Sequence, residues 1–271
     1  MTERIAFIGG GNMASAIIGG LIKQGLSPQS IDVVEPLEEA RDKLQRSFGI
    51  TAQAQAGTFL SDAALVIWAV KPQIFRAAAL AVAAHTLQAL HLSVAAGIRS
   101  DSIAIWLGTD RVVRAMPNTP ALVGKGITGL FARAGVSAAD QTRITQVMAS
   151  TGESIWLDAE EKLDVVTALS GSGPAYVFYF MEAMTTAGIE MGLSREQAHQ
   201  LAVATFVGAS ELARSASESP QVLRQRVTSK GGTTYAAISS MEENDMRALF
   251  IDAMYAARER AKALGDEFGA D

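Results

Sequence analysis

An α/β doubly wound sheet followed by an all-helical domain is the fold class this sequence predicts, on three observations. Apolar runs of strand length alternate with helical patterns in the first part of the chain, strand signals almost vanish from residue 160 onward, and a glycine-rich turn joins the first strand to the first helix. The expected domains are residues 1–159 and residues 160–271. At 271 residues, 49% of them apolar, the chain is long enough for two domains with ample cores.

Composition removes several classes of function. A net charge of −5 gives no reason to expect a nucleic-acid partner, because phosphate binding needs a clustered excess of Lys and Arg. The absence of cysteine excludes disulfides, thiolate metal sites and cysteine nucleophiles. Three scattered histidines are too few for a zinc site, so no metal is expected. The most apolar later stretch, 165–189, is interrupted by Gly171, Gly173 and Pro174 and carries Glu182, which reads as a buried helix and not as a membrane span. The chain enters its first strand almost at once, leaving no room for a charged and then apolar leader, and a cytoplasmic location is expected.

The first element is the apolar run Ile5-Ala6-Phe7-Ile8, which breaks into Gly9-Gly10-Gly11-Asn12-Met13-Ala14 and then a helical pattern. Gly9, Gly11 and Ala14 fit the dinucleotide fingerprint: a glycine for the turn, a glycine for close approach to a pyrophosphate, and a small residue where helix packs on strand. The helix N-terminus then offers free N–H groups to the anion. A Rossmann-type N-terminal domain follows from this strand, turn and helix together.

Residues 31–35 form a short second strand ending in an acid. Such an acid, about 20 residues past the fingerprint, accepts hydrogen bonds from the adenosine ribose. Glu35 sits slightly later, and there it either meets the ribose and repels a 2′-phosphate or is a solvated surface glutamate. Arg41, in the next helix, pulls the other way. The run 64–70 is continuously apolar, as in a parallel strand covered on both faces, and ends at Lys71-Pro72, where Pro can open a helix. The carboxyl ends of such strands line the ligand crevice, so Val70, Lys71 and Pro72 are expected to face the cofactor, Lys71 reading otherwise as a solvent lysine that caps the strand. Residues 91–97 and 111–116 repeat the pattern, the second followed by the stiff loop Pro117-Asn118-Thr119-Pro120, which either aims side chains into a site or is simply a rigid turn. Further strands at 126–132 and 154–157 flank a helix at 138–149.

Beyond residue 160 the helices expected are 174–191, 195–215, 221–227 and 244–264. Ser194 with Gln197 has capping-box spacing. The helix from Pro174 is apolar nearly all round, with Tyr176 to Met181 in succession, so both sides need covering and a homodimer is expected.

Reducing a carbonyl would need a proton donor for the developing alkoxide. No lysine occurs between Lys162 and Lys230, no tyrosine has a lysine four residues on, and His199 sits among Arg195, Glu196 and Gln200 on a polar stretch. An imine escapes the requirement, since its nitrogen is protonated before hydride arrives. The 228–234 loop suits an imine acid: Gly231 and Gly232 expose N–H groups to a carboxylate ahead of a helix, and Ser229 and Thr234 add hydroxyls. Taken alone, the same loop also reads as a helix cap with a glycine turn.

These motifs together resemble the pyrroline-5-carboxylate reductase family. The residues that carry the resemblance are Phe7 to Met13, Ala69-Val70-Lys71-Pro72, Ala95-Ala96-Gly97, Met116 to Pro120, Ser170 to Tyr176 and the 228–234 loop, in the family's order along nearly the whole chain. The resemblance implies hydride transfer from NADPH or NADH to 1-pyrroline-5-carboxylate, giving L-proline. It implies that Gly9, Gly10, Gly11, Asn12, Met13, Ala14, Ala69, Val70, Lys71, Pro72, Ala95 and Ala96 hold the cofactor and that Asn118 lies on the nicotinamide side. It places the substrate carboxylate on Ser229, Lys230, Gly231, Gly232 and Thr233, with the Thr234 hydroxyl near the ring nitrogen, and it implies dimers through the helical domain and rings of five dimers. Two departures matter: Lys230 stands where the family usually has Pro, and Ala56 where many members have Asn at the ribose. The competing readings are reduction of another small cyclic imine acid and a dinucleotide-binding regulator without turnover.

Overall fold

A computed structural model describes residues 3–269. Met1, Thr2, Ala270 and Asp271, the outer ends of the two expected domains, lie outside the described residues. By its contacts the chain forms two compact units, one running up to Gly171 and resuming at Ala257, the other Ser172–Ala256.

The first unit is a seven-stranded sheet. Its strands are β1 (Arg4–Ile8), β2 (Ile31–Val34), β3 (Ala63–Trp68), β4 (Leu90–Ser93), β5 (Val112–Met116), β6 (Gly126–Ala132) and β7 (Gly152–Trp156), in the spatial order β2-β1-β3-β4-β5-β6-β7. Strands β1 to β5 are parallel, β6 runs antiparallel to β5, and β7 is parallel to β6. The interleaved helices are α1 (Asn12–Lys23), α2 (Glu38–Phe48), α3 (Pro72–Val82), α4 (Ser100–Leu107) and α5 (Ala138–Met148).

Two apolar layers cover the two faces of the sheet, and the period of 2 along each strand divides residues between them. From β1 and β3, Ile5, Phe7, Leu65 and Ile67 join Ile17 and Ile18 of α1 and Ile144 of α5 on one face. Ala6, Ile8, Val66 and Trp68 join Phe75 and Val82 of α3 and Trp106 of α4 on the other. Continuous apolar strands are the sequence expression of this double covering.

The strands at 64–70 and 91–97 are shorter than their apolar runs, because chain past Trp68 and Ser93 turns out of the ladder into loops; Gly97 there has φ +72°. Helix α4 carries no marked signal in the sequence. Residue 160 leads into α6 (Lys162–Val166), which packs on β5 and β6 and buries Leu163. One π-turn (Thr167–Gly171) follows it.

The second unit contains α7 (Gly173–Glu190), α8 (Arg195–Ser215), α9 (Pro220–Arg226), α10 (Thr233–Glu243) and the start of α11 (Met246–Phe268). The helix expected at 244–264 is α11, which begins at Met246; α10 before it is a separate helix absent from the expected set, ended at Asn244 and parted from α11 by Asp245 at φ +52°. Ser194 and Gln197 form the capping box at the start of α8. Helices α7 and α8 cross closely, since a Cβ on Gly188 would lie 2.9 Å from the Ala198 Cβ.

Candidate active site

The glycine turn sits where strand order reverses between β1 and β3, the switch point at which open α/β sheets bind ligands. Gly9 holds φ +98°, its N–H donates to the Val34 carbonyl at 2.8 Å, and a Cβ there would lie 2.5 Å from the Ala69 carbonyl oxygen. The turn is thereby pressed between the ends of β2 and β3. Gly10 is equally crowded, by Leu44 of α2, but a Cβ on Gly11 would meet nothing within 4 Å. Gly11 is the N-cap of α1 and supplies no side-chain cap, which leaves the first-turn N–H groups of Asn12 and Met13 without a capping partner at the positive end of the helix, while Ala14 is buried beneath them. A pyrophosphate fits this cradle.

Beside it is a cavity of about 340 Å³ lined by Ile8, Val34, Pro36, Ala56, Val70 and Ile74, with further alanines from α3. Its apolar walls suit a flat adenine ring. Residues 54–56 reach it because the chain after α2 returns to the end of β2, where Glu35 N–H donates to the Gln53 carbonyl at 2.8 Å. Val70 and Ala56 are already singled out by the sequence, but Ala54 and the α3 alanines carry no functional signature of their own.

Glu35 is buried, and both its carboxylate oxygens accept backbone N–H groups: Oε2 from Gly10 at 2.7 Å and Oε1 from Leu37 at 2.9 Å. It is not a solvated surface residue, and it fastens the glycine turn to the chain after β2. Arg41 Nη1 donates to the carbonyls of Glu35 at 3.0 Å and Pro36 at 2.6 Å.

At the next strand ends, Ala69 N–H donates to the Ile8 carbonyl at 2.8 Å, Val70 lines the cavity, exposed Lys71 is the N-cap of α3, and Pro72 opens that helix. Past β4, Ala95 is buried with its N–H on the Ser93 hydroxyl at 3.3 Å, and Ala96 is exposed. Asn118 is buried: its Oδ1 accepts from Ile127 N–H at 3.0 Å and its Nδ2 donates to the Ser170 carbonyl at 3.1 Å. Its amide ties the start of β6 to the π-turn, a role that partners 9 and 52 residues away hide from a linear reading.

In the helical unit, Gly231 has φ +76° and Gly232 is the N-cap of α10 without a side-chain cap. The Gly232 N–H donates to the Ser229 carbonyl at 3.0 Å, which closes the loop and leaves the first-turn N–H groups of Thr233 and Thr234 unbonded within the helix. Ser229, Lys230, Gly231 and Thr233 are exposed, and Thr234 is half-buried. The loop brings a left-handed glycine, uncapped helix N–H groups, hydroxyl side chains and one lysine into seven successive residues, an arrangement suited to an anion. Among the described residues no group of three metal-ligating side chains comes together, and no helix is long and apolar enough to cross a membrane.

A family model described as pyrroline-5-carboxylate reductase dimerisation matches residues 160–264, and one described as NADP oxidoreductase, coenzyme F420-dependent, matches residues 4–97. The pyrroline-5-carboxylate reductase of Pseudomonas aeruginosa is 46% identical over 270 residues, covering 99% of both chains. Among solved structures, a pyrroline-5-carboxylate reductase from Coxiella burnetii superposes with a TM-score of 0.90 at 38% identity, covering 97% of this chain and 99% of that one. The Plasmodium falciparum pyrroline carboxylate reductase, with NADP bound, gives 0.87 at 27% identity, covering 97% and 98%.

Proposed function

This chain belongs to the pyrroline-5-carboxylate reductase family, and from that premise we propose how its own residues divide the work of reducing 1-pyrroline-5-carboxylate to L-proline, the last step of proline biosynthesis. It is an NAD(P)H-dependent oxidoreductase acting on a C=N bond. The sheet unit holds the coenzyme. Gly9 and Gly10 set the turn, Gly11, Asn12, Met13 and Ala14 present N–H groups to the pyrophosphate, and Ala69, Val70, Lys71, Pro72, Ala95 and Ala96 form the strand-end floor, with Asn118 fastening the loop behind it. When bound, the reduced nicotinamide supplies the hydride.

The helical unit holds the substrate. Its carboxylate is received by the N–H groups of Gly231, Gly232 and Thr233 and by the Ser229 hydroxyl, with the Lys230 ammonium adding attraction at the rim. Thr234 orients the ring nitrogen through its hydroxyl. The nitrogen carries its proton before the imine carbon accepts hydride, so the product amine forms without a lysine or histidine acid. The observation that carries the reading is this loop: a glycine turn at φ +76° aiming uncapped helix N–H groups outward between two hydroxyls.

The match to a dimerisation model over 160–264 identifies the helical region as a dimerisation domain. Pairing of two copies through it is part of the proposal, as are a cytoplasmic location and a further ring of five dimers, which rests on the family resemblance and is checked by light scattering. Ser229→Ala and Thr234→Ala test the site. Each is expected to lower kcat/KM for the imine by about tenfold or more, with dinucleotide affinity kept. Full turnover in the double variant would remove both residues from the mechanism.

A further inference from the structure

We propose that Arg41 sets the coenzyme choice of this enzyme by presenting a fixed positive charge to the 2′-phosphate of NADPH, while Glu35 serves the glycine turn and not the ribose. This rests on the coenzyme reading of the crevice. An acid at the end of β2 favours NADH only when its oxygens are open to the ribose hydroxyls. Here both oxygens accept main-chain N–H groups, from Gly10 at 2.7 Å and Leu37 at 2.9 Å, and the residue is 8% exposed. Those two donors fix the carboxylate at the turn without cancelling its charge, so a phosphate bound at the ribose needs a cation to offset it.

Arg41 is differently placed. It is half-buried at the start of α2, and Nη1 is held by the carbonyls of Glu35 and Pro36. Pro36 in turn lines the cavity together with Val34 and Ala56. Among the described residues neither Nε nor Nη2 of Arg41 makes a hydrogen bond or ion pair, so a planar face of donors is left at the rim. Two carbonyl anchors have already removed much of the side-chain freedom that makes exposed ion pairs weak. Helix α2 adds to this, since its N-cap Leu37 has no capping oxygen. Glu38, Glu39 and Asp42 are the opposing charges nearby, and all three are exposed and solvated. Ala54 and Ala56 offer no side-chain donor and Gln55 between them offers a neutral carboxamide, so the positive charge that selects a phosphate falls to Arg41.

Calorimetric titration of the full-length protein with adenosine 2′,5′-bisphosphate and with 5′-AMP tests the assignment without turnover. The expected result is about tenfold or more tighter binding of the bisphosphate, a ratio that Arg41→Ala brings close to one with 5′-AMP affinity kept and that Arg41→Lys keeps in part. Equal binding of the two probes by the wild type, or an unchanged ratio in Arg41→Ala, would overturn it. Glu35→Gln is expected to weaken both probes alike; a selective gain for the bisphosphate would return Glu35 to the ribose and overturn that half. Imine-dependent oxidation of NADPH and NADH by the same preparations separates the two readings. Turnover with a collapsed probe ratio removes Arg41 alone, and no turnover with the ratio intact removes the reductase reading alone.

Discussion

Gly9 is the residue on which the coenzyme crevice turns. Its φ of +98°, and the 2.5 Å that would separate a Cβ from the Ala69 carbonyl oxygen, leave no room for any side chain. Gly9→Ala is expected to cost about 2 kcal/mol or more in urea unfolding and to abolish measurable dinucleotide binding, since relief of the clash must part β1 from β3. His91 tells a different story on the same sheet. Burial pushes its pKa down to about 4 despite a bond to the Thr86 backbone, with Arg111 acting in the same direction as burial, and its neutral ring accepts from Trp68 Nε1 at 3.1 Å. The unfolded chain therefore binds a proton near pH 6.5 that the folded chain refuses until about pH 4. Stability from this group is full above the unfolded value and falls with pH across that window, by about 3 kcal/mol in all. Denaturation midpoints at pH 7 and pH 4.5 check it: His91→Gln should flatten the slope, and an unchanged slope would assign the acid sensitivity elsewhere.

Between elements, the fastenings that matter join residues far apart in the chain. Glu160, after the last strand, accepts from Ser100 N–H at 2.7 Å and from the Ser100 hydroxyl at the start of α4, and it pairs with the buried Arg114 of β5 at 2.5 Å. One carboxylate thus caps a helix that has no side-chain cap of its own and neutralises a guanidinium that is 10% exposed. Glu160→Ala should destabilise the sheet unit by about 3 kcal/mol, because it leaves Arg114 buried and unpaired; Arg114→Met in the same background should recover part of that loss. Recovery absent from chemical denaturation would mean that the helix cap, not the ion pair, dominates. The glycine turn depends on the same kind of device, through Glu35.

At the scale of the molecule, the helical unit has almost no interior of its own. Gly188, Ala198 and Ala202 are its buried positions among α7 and α8, whereas Phe178 is 62%, Val207 64% and Leu212 68% exposed. That much uncovered apolar surface needs a second copy, which is what a dimerisation domain supplies. Phe178→Glu with Val207→Glu should yield monomer by light scattering. Tm should become independent of protein concentration, and imine reduction should fall while dinucleotide binding by the sheet unit persists. A dimer of unchanged mass would move the interface to another face.

What the sequence by itself determined is what short stretches of chain encode. The strand, glycine turn and helix at residues 4–23, the apolar strands covered on both faces, the capping box at Ser194 and the glycine turn before α10 each declare themselves through neighbours within a few residues. Their local geometry is set by backbone sterics and periodicity, which leave a mark on composition. Only the tertiary structure decided the rest. It turned β6 antiparallel, set a separate helix α10 ahead of Asp245, gave the Glu35 carboxylate to Gly10 and Leu37, and gave the Asn118 amide to Ile127 and Ser170. Those outcomes depend on which N–H and C=O groups of distant segments meet when the two apolar faces of the sheet are buried. A carboxylate or an amide looks the same in the sequence whether it will face a ligand or fasten a loop, and burial next to unpaired main-chain groups is what chooses between them.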